Sequence, residues 1–231
     1  MADIKLMLFE GTKMKNKFGL AAIAALVLAG THVQAADLQV TGSIVPGSCS
    51  LNIPTLTVDY GRISVKDLSP DNYTGLNKLN TAFNITCDGP TLVGLTAMDN
   101  RAASKKHEAM AVIDPGLAAP LNSFGLGTNA NGDKIGAYSV HLRNYSVDGG
   151  TDFKTILSAV GSGGWINAGD FLRSQSSYML SWSPDTATAP HLLTTVTGEL
   201  EIQAAINNTT ELVVTEDLQI DGSTTLELRY I

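Results

Sequence analysis

The chain has 231 residues and a formal net charge of −7, with 44% hydrophobic, 16% charged and 6% aromatic residues. This composition excludes an intrinsically disordered chain, a collagen and a coiled coil. The low share of charged residues, together with abundant Thr, Ser, Asn and Gly, is typical of secreted all-β proteins. Lys and Arg are few and scattered, whereas phosphate binding needs a basic patch, so we expect no nucleic-acid partner.

The N-terminal segment has the order of a secretory signal peptide. After Met14 come a short basic stretch, the apolar residues 18–30 and a small-residue cleavage site. The apolar run is shorter than the ~20 residues that cross a bilayer. We therefore predict a leader and signal peptide over residues 1–35, with cleavage after Ala35 or Ala36.

Residues 36–231 contain no further stretch of membrane-spanning length, so we predict no transmembrane segment in the mature chain. Export places this chain in the periplasm or on the cell surface. An oxidising compartment favours a structural disulfide between the only two cysteines, Cys49 and Cys87. Neither lies in a CxxC or a metal-spaced cluster, so we predict no redox or zinc site.

Alternation of apolar and polar residues predicts half-buried β-strands along the mature chain. The predicted strands are residues 38–45, 82–87, 92–98, 135–142, 178–182, 192–206 and 224–231. Turn-forming clusters such as residues 129–133 separate them, and the Ala-rich residues 101–110 predict a short surface helix or a loop. This pattern indicates one all-β domain over residues 36–231, an antiparallel β-sandwich with elaborated loops.

No group of residues points to a catalytic site. Residues 125–130 match the GxGxxG/A pattern formally, but a hairpin signal follows where a nucleotide site needs a helix. His141 lies on an alternating strand, which indicates a packed or rim histidine. Glu199 and Glu201 point to one face of a strand and are explained as solvent-facing carboxylates. We predict that the chain is not an enzyme and binds no cofactor and no metal.

Several segments resemble a family of fimbria-linked periplasmic proteins of unknown function, the GltF-like proteins. The resemblance rests on the order of residues 42–49, 58–61, 99–101, 123–127, 134–137 and 226–230. An acidic exported chain with an early cysteine pair and a terminal strand whose penultimate residue is Tyr also resembles the subunits of chaperone–usher fimbriae.

The fimbrial resemblance implies an immunoglobulin-like, pilin-type sandwich that lacks its last strand. Such a fold leaves a groove open beside the C-terminal strand, and by position Leu226, Leu228 and Tyr230 would form the groove edge that a chaperone binds. The resemblance therefore implies a structural subunit that is assembled by donor-strand complementation. The implied partners are a periplasmic chaperone, an usher and neighbouring fimbrial subunits.

The N-terminus departs from the fimbrial pattern. Only residues 36–48 separate the predicted cleavage site from Cys49. Leu38, Val40 and Ile44 form either a donor strand or the domain's own first strand, because there is little room for both. Two alternative functions therefore stay open: a self-complete periplasmic GltF-like protein with a regulatory or binding role, and a tip adhesin.

Overall fold

The structure is a computed structural model that describes Gln39, Thr41 and residues 47–231. Within this part of the chain, β-strands form two antiparallel sheets. The strands are β1 Cys49–Asn52, β2 Thr74–Gly75, β3 Leu79–Thr91, β4 Val93–Asp99, β5 Phe124–Gly125, β6 Gly136–Val147, β7 Phe153–Ala159, β8 Tyr178–Pro184, β9 Leu193–Ile206 and β10 Thr224–Tyr230.

Sheet A has the strand order β1-β3-β9-β6-β5, and the short β2 also pairs with β9. The long β9 is its centre, since Thr197 pairs with Asn84 of β3 on one side and with Ser146 of β6 on the other. Sheet B has the order β10-β4-β8-β7. Its outer strand β10 pairs with β4 over its whole length, from Thr224–Asp99 to Tyr230–Val93.

The inner faces of the two sheets enclose one hydrophobic core. Ile85 of β3 and Leu142 of β6 contact a cluster that includes Leu95 of β4 and Trp182 of β8, and all four side chains are buried. Full burial of each leucine or isoleucine stabilises the fold by about 1.5–3 kcal/mol. The predicted antiparallel β-sandwich is therefore confirmed.

The two open sides of the sandwich differ. On one side, residues 166–172 connect the sheets, because Ile166 forms a bridge with Leu157 of β7 and Phe171 forms one with His141 of β6. On the other side lie β1 of sheet A and β10 of sheet B. No backbone ladder joins these two strands within the described residues.

Six predicted strands correspond to β3, β4, β6, β8, β9 and β10. The predicted strand over residues 38–45 lies outside the described residues except for Gln39 and Thr41, which belong to no strand. The segment 101–110 forms short 3-10 helices, Ala102–Ser104 and His107–Val112. No helix among the described residues is long and apolar enough to cross a bilayer.

Candidate functional site

The main candidate site is a groove on the open side of the sandwich, which we call the β1–β10 groove. One wall is β1 with residues 53–58 that follow it, and the other is the start of β10 with residues 220–223. The groove has a volume of about 710 Å³. It runs along the gap between the sheets, so an occupant would contact both walls and the core beneath them.

The inner face of β10 is apolar. Leu226 and Leu228 are half-buried and pack against the core, and Leu226 lines the groove. Glu227, between them, is exposed on the outer face. This alternation follows from the pleat of a strand. One edge of β10 is bonded to β4, and within the described residues no strand lies along its other edge.

The floor of the groove comes from sheet A. Val140 of β6 and Ile202 of β9 lie in it, and both are buried. Tyr138 stacks on Phe124 with ring centroids 5.3 Å apart, and its hydroxyl lies 2.6 Å from Thr224 Oγ1. Burial raises the pKa of Tyr138 to about 12, so its phenol is neutral at physiological pH. The floor therefore presents apolar groups to an occupant.

Tyr60 makes the corner where the wall meets the floor. Its hydroxyl donates to the Ile202 carbonyl oxygen at 3.2 Å, and burial raises its pKa to about 12. Tyr60 belongs to a segment that carries the family resemblance, residues 58–61, but no sequence pattern assigned a role to its side chain. Its bond to sheet A explains why residues 53–60 remain beside the groove without a strand ladder.

Tyr230 links β10 to β1 beyond the residues that line the groove. The Cys49 amide donates a 2.9 Å hydrogen bond to the Tyr230 hydroxyl, across the gap between the two walls. The Ile231 amide also donates to the Leu92 carbonyl, so the last residues of the chain are tied to sheet B. The predicted Cys49–Cys87 disulfide is confirmed and links β1 to β3 at the same end.

The other end continues into a second cavity of about 470 Å³, which shares Val58, Tyr60 and Ile220 with the groove. Its mouth carries Arg62 and Asp217, whose charged groups lie 3.8 Å apart and are almost fully exposed. Exposed ion pairs contribute little to stability. This end is therefore the open, charged end of the groove.

A polar cluster fixes the start of β10. Asn100 Nδ2 donates to Ser223 Oγ and Thr225 Oγ1, and the Arg101 guanidinium lies 2.7 Å from the Asp221 carboxylate. The carboxylate of Asp99 accepts from the Arg101 amide, which shapes the turn after β4. Of these residues, the sequence analysis noted Asp99, Asn100 and Arg101 only as part of the resemblance. The structure assigns them to holding the groove wall in position.

A second polar cluster lies on the outer face of sheet A. Glu201 accepts from Arg143 and Lys78, both at 3.2 Å, and Arg143 also pairs with Asp170, which lies 3.2 Å from His141 Nδ1. The side chain of His141 is largely buried in this network, as expected for a packed or rim histidine. The charged groups pair with one another and hold the segment 166–172 against sheet A.

The structure places the predicted groove residues Leu226, Leu228 and Tyr230 on one strand. All three lie on β10, but only Leu226 lines the groove, whereas Leu228 packs against the core and Tyr230 is exposed. The predicted donor residues Leu38, Val40 and Ile44 lie outside the described residues. Among the described side chains, no group of three or more His, Cys, Asp or Glu has a metal-binding arrangement.

Comparison with known proteins gives relatives of nearly the same length. Residues 38–139 match a family described as "Protein of unknown function (DUF1120)". Protein GltF of Escherichia coli K12 is 29% identical, over 94% of this chain and 98% of GltF. The uncharacterized protein YhcF of the same strain is 24% identical, over 90% of this chain and 97% of YhcF. These comparisons support the resemblance to a GltF-like family of unknown function, and the chain is similar to such proteins over almost its whole length.

Proposed function

We propose that the chain is an exported structural subunit of the fimbrial type, completed by a β-strand that another protein donates. In this proposal a periplasmic chaperone supplies the strand first, and a neighbouring subunit replaces it at the usher. The fold is then an immunoglobulin-like sandwich that lacks one strand. The observation that carries the proposal is the outer edge of β10, which no described strand pairs with, beside the apolar β1–β10 groove.

An exposed strand edge beside an apolar groove is a liability in a free protein, because unpaired N–H and C=O groups recruit other chains. β-Strand addition uses the same groups productively: backbone hydrogen bonds supply affinity, and alternate side chains fill pockets. The half-buried Leu226 and Leu228 lie on the inner face of β10, where the alternate side chains of a donor strand would contact them. This arrangement supports the groove edge implied by the fimbrial resemblance.

Export is supported by the disulfide and by the predicted signal peptide. A bond between Cys49 and Cys87 is stable in an oxidising compartment such as the periplasm. The predicted signal peptide, residues 1–35, lies outside the described residues. The proposed location is therefore the periplasm or the surface of the cell.

The proposal predicts that capture by a chaperone depends on the inner face of β10. We expect Leu226→Ser to reduce co-purification with a fimbrial periplasmic chaperone from the same bacterium about tenfold or more, because an apolar contact in the groove is lost. The measurement is the ratio of chaperone to chain after affinity purification from the periplasm.

Glu227→Ser is the matched control, since it changes the neighbouring residue on the exposed face of the same strand. It should leave capture within about twofold of the unchanged chain. Thermal unfolding of both variants separates a lost contact from a lost fold. Equal capture of the two variants, or no capture of the unchanged chain by any chaperone that the bacterium encodes, contradicts the proposal.

A further inference from the structure

We propose that the strand donated to this chain is longer than β10: it continues past the start of β10 into the second cavity and places a basic side chain at the mouth of that cavity. The inference rests on the proposed function, because it names the chemistry of the strand that the β1–β10 groove accepts. The charged end would distinguish the partner strand from other apolar strands of the same length.

The second cavity prolongs the β1–β10 groove beyond β10. The two spaces share Val58, Tyr60 and Ile220, and no residue of β10 lines the second cavity. β10 itself has seven residues, Thr224–Tyr230. A strand that pairs with all seven residues and also enters the second cavity must therefore extend beyond the start of β10.

The floor of the second cavity is apolar. Ile135, Ile206 and Leu212 line it, and all three side chains are buried. Val65 of the same lining is 46% exposed, and Leu56 of the adjoining groove is 85% exposed. A bound strand would place an apolar side chain on this floor and would cover Val65 and Leu56. Removing these apolar surfaces from water favours binding.

The walls of the second cavity have free backbone groups. Residues 58–63 and 216–220 line it, and neither segment makes a backbone–backbone hydrogen bond to another described residue. N–H and C=O groups beside an apolar floor suit an extended peptide, because the peptide backbone supplies matching acceptors and donors. A compact apolar ligand would leave these groups without a partner. We therefore infer a peptide strand as the occupant.

The mouth of the second cavity has an excess of negative charge. Asp59, Glu216 and Asp217 line it, whereas Arg62 is the one basic residue among the described lining residues. Arg62 lies 3.8 Å from Asp217, and no described basic group forms an ion pair with Asp59 or Glu216. A basic side chain of the bound strand would therefore lie close to two carboxylates that have no partner of opposite charge among the described residues.

The charge at one end gives the strand a direction. At the opposite end of β10 the charged side chains pair with each other, since Arg229 Nη2 lies 3.1 Å from the Glu227 carboxylate. The acidic mouth lies beyond the first residue of β10, and antiparallel pairing is slightly more stable than parallel pairing. A strand antiparallel to β10 carries its basic residue at its C-terminal end.

Two synthetic peptides of equal composition test the inference on the full-length chain. Each has about 12 residues, spans about 40 Å when extended and alternates Val with Ser, with one Lys at the C-terminal end or at the N-terminal end. Both are acetylated and amidated, which removes the terminal charges. We expect the C-terminal Lys peptide to bind about threefold or more tightly at low salt, measured by calorimetry. The preference should shrink in about 0.5 M salt, because ions screen exposed charges.

Charge-neutralising variants locate the preference. Asp59→Asn combined with Glu216→Gln removes the two carboxylates at the mouth. The matched control, Asp152→Asn combined with Asp185→Asn, removes two exposed carboxylates beside β7 and β8, at the edge of sheet B away from β10. The preference for the C-terminal Lys peptide should disappear in the first double variant and persist in the second. Thermal unfolding of both shows whether the fold is retained.

Equal binding of the two peptides overturns the inference, and so does a preference that survives the loss of Asp59 and Glu216. Binding that weakens as the concentration of the chain rises also overturns it, because a second copy then covers the groove. These results leave the proposed function standing. If neither peptide binds and a chaperone still captures the chain through Leu226, the inference alone fails. If neither peptide binds and no chaperone captures the chain, the proposed function fails and the inference fails with it.

Discussion

Glu201 shows how single residues support the outer face of sheet A. Burial alone would raise the pKa of its carboxyl group, but hydrogen bonds from Lys78 and Arg143 outweigh burial and lower it. A carboxyl group whose pKa is lower in the folded state stabilises the fold above its ordinary pKa, and this stabilisation is lost as the pH falls through the folded-state value. The sequence predicted that Glu199 and Glu201 share a face, but partners 58 and 123 residues away could not be read from local spacing.

At this scale we predict that Glu201→Gln lowers the free energy of unfolding at pH 7 by about 1 kcal/mol, because charge-assisted hydrogen bonds to Arg143 and Lys78 are lost. The difference from the unchanged chain should shrink as the pH falls below 4.5, the ordinary pKa of glutamic acid. Urea unfolding at pH 7 and pH 3 measures both values. The exposed Glu216→Gln is the control, and a difference that persists at pH 3 contradicts the assignment.

At the scale of elements, the sequence predicted those strands that have one buried and one exposed face, because their apolar and polar residues alternate. β10 alternates half-buried and exposed residues over most of its length, and the sequence predicted it within one residue. β7 was missed because Thr155–Ser158 are all buried, so no alternation marks the strand. β1 was missed because it is only four residues long. The groove floor was beyond prediction for a related reason, since Tyr60 and Tyr138 are far apart in sequence and line the same groove only in the folded chain.

The disulfide gives a prediction at this scale, since it ties the short β1 to β3. The bond joins residues separated by 38 positions in the chain. Replacing both Cys49 and Cys87 by Ser should lower the free energy of unfolding by about 4 kcal/mol, because the unfolded chain regains the entropy of an open loop. Urea unfolding measures the change. Reduction of the unchanged chain should produce the same loss, and a stability that neither treatment alters contradicts this role.

On the scale of the whole molecule, the described part of the sandwich is closed on one side and open on the other. Residues 166–172 bridge both sheets beside β6 and β7, whereas among the described residues β1 and β10 are connected by a side-chain hydrogen bond at Cys49. Local patterns in the sequence predicted the sandwich, and the fimbrial resemblance implied that its C-terminal strand borders a groove. Pairing between residues far apart in sequence decides which side of the sandwich is closed. Local sequence patterns do not reveal such long-range pairing.

Because this side of the sandwich is open, the solubility of the chain depends on β10. Deleting residues 226–231 removes most of β10 and exposes the edge of β4, including Leu95, which pairs with Leu228. We expect the shortened chain to lose capture by a chaperone and to become largely insoluble, because an exposed edge and an open core recruit other chains. The soluble fraction in periplasmic extracts and chaperone co-purification measure the outcome. Undiminished capture contradicts the groove assignment.

The long stretch of sequence between β4 and β10 also sets a delay in time. Thr225 is bonded to Asn100, 125 residues earlier, and no described strand other than β10 covers that edge of β4. At about 5–20 residues per second, synthesis of the intervening chain takes roughly 6–25 s. During that interval every growing copy contains β4 but lacks β10, the strand that pairs with this edge. Slow synthesis therefore lengthens the period in which incomplete copies can pair wrongly, and the synthesis of β10 ends that period.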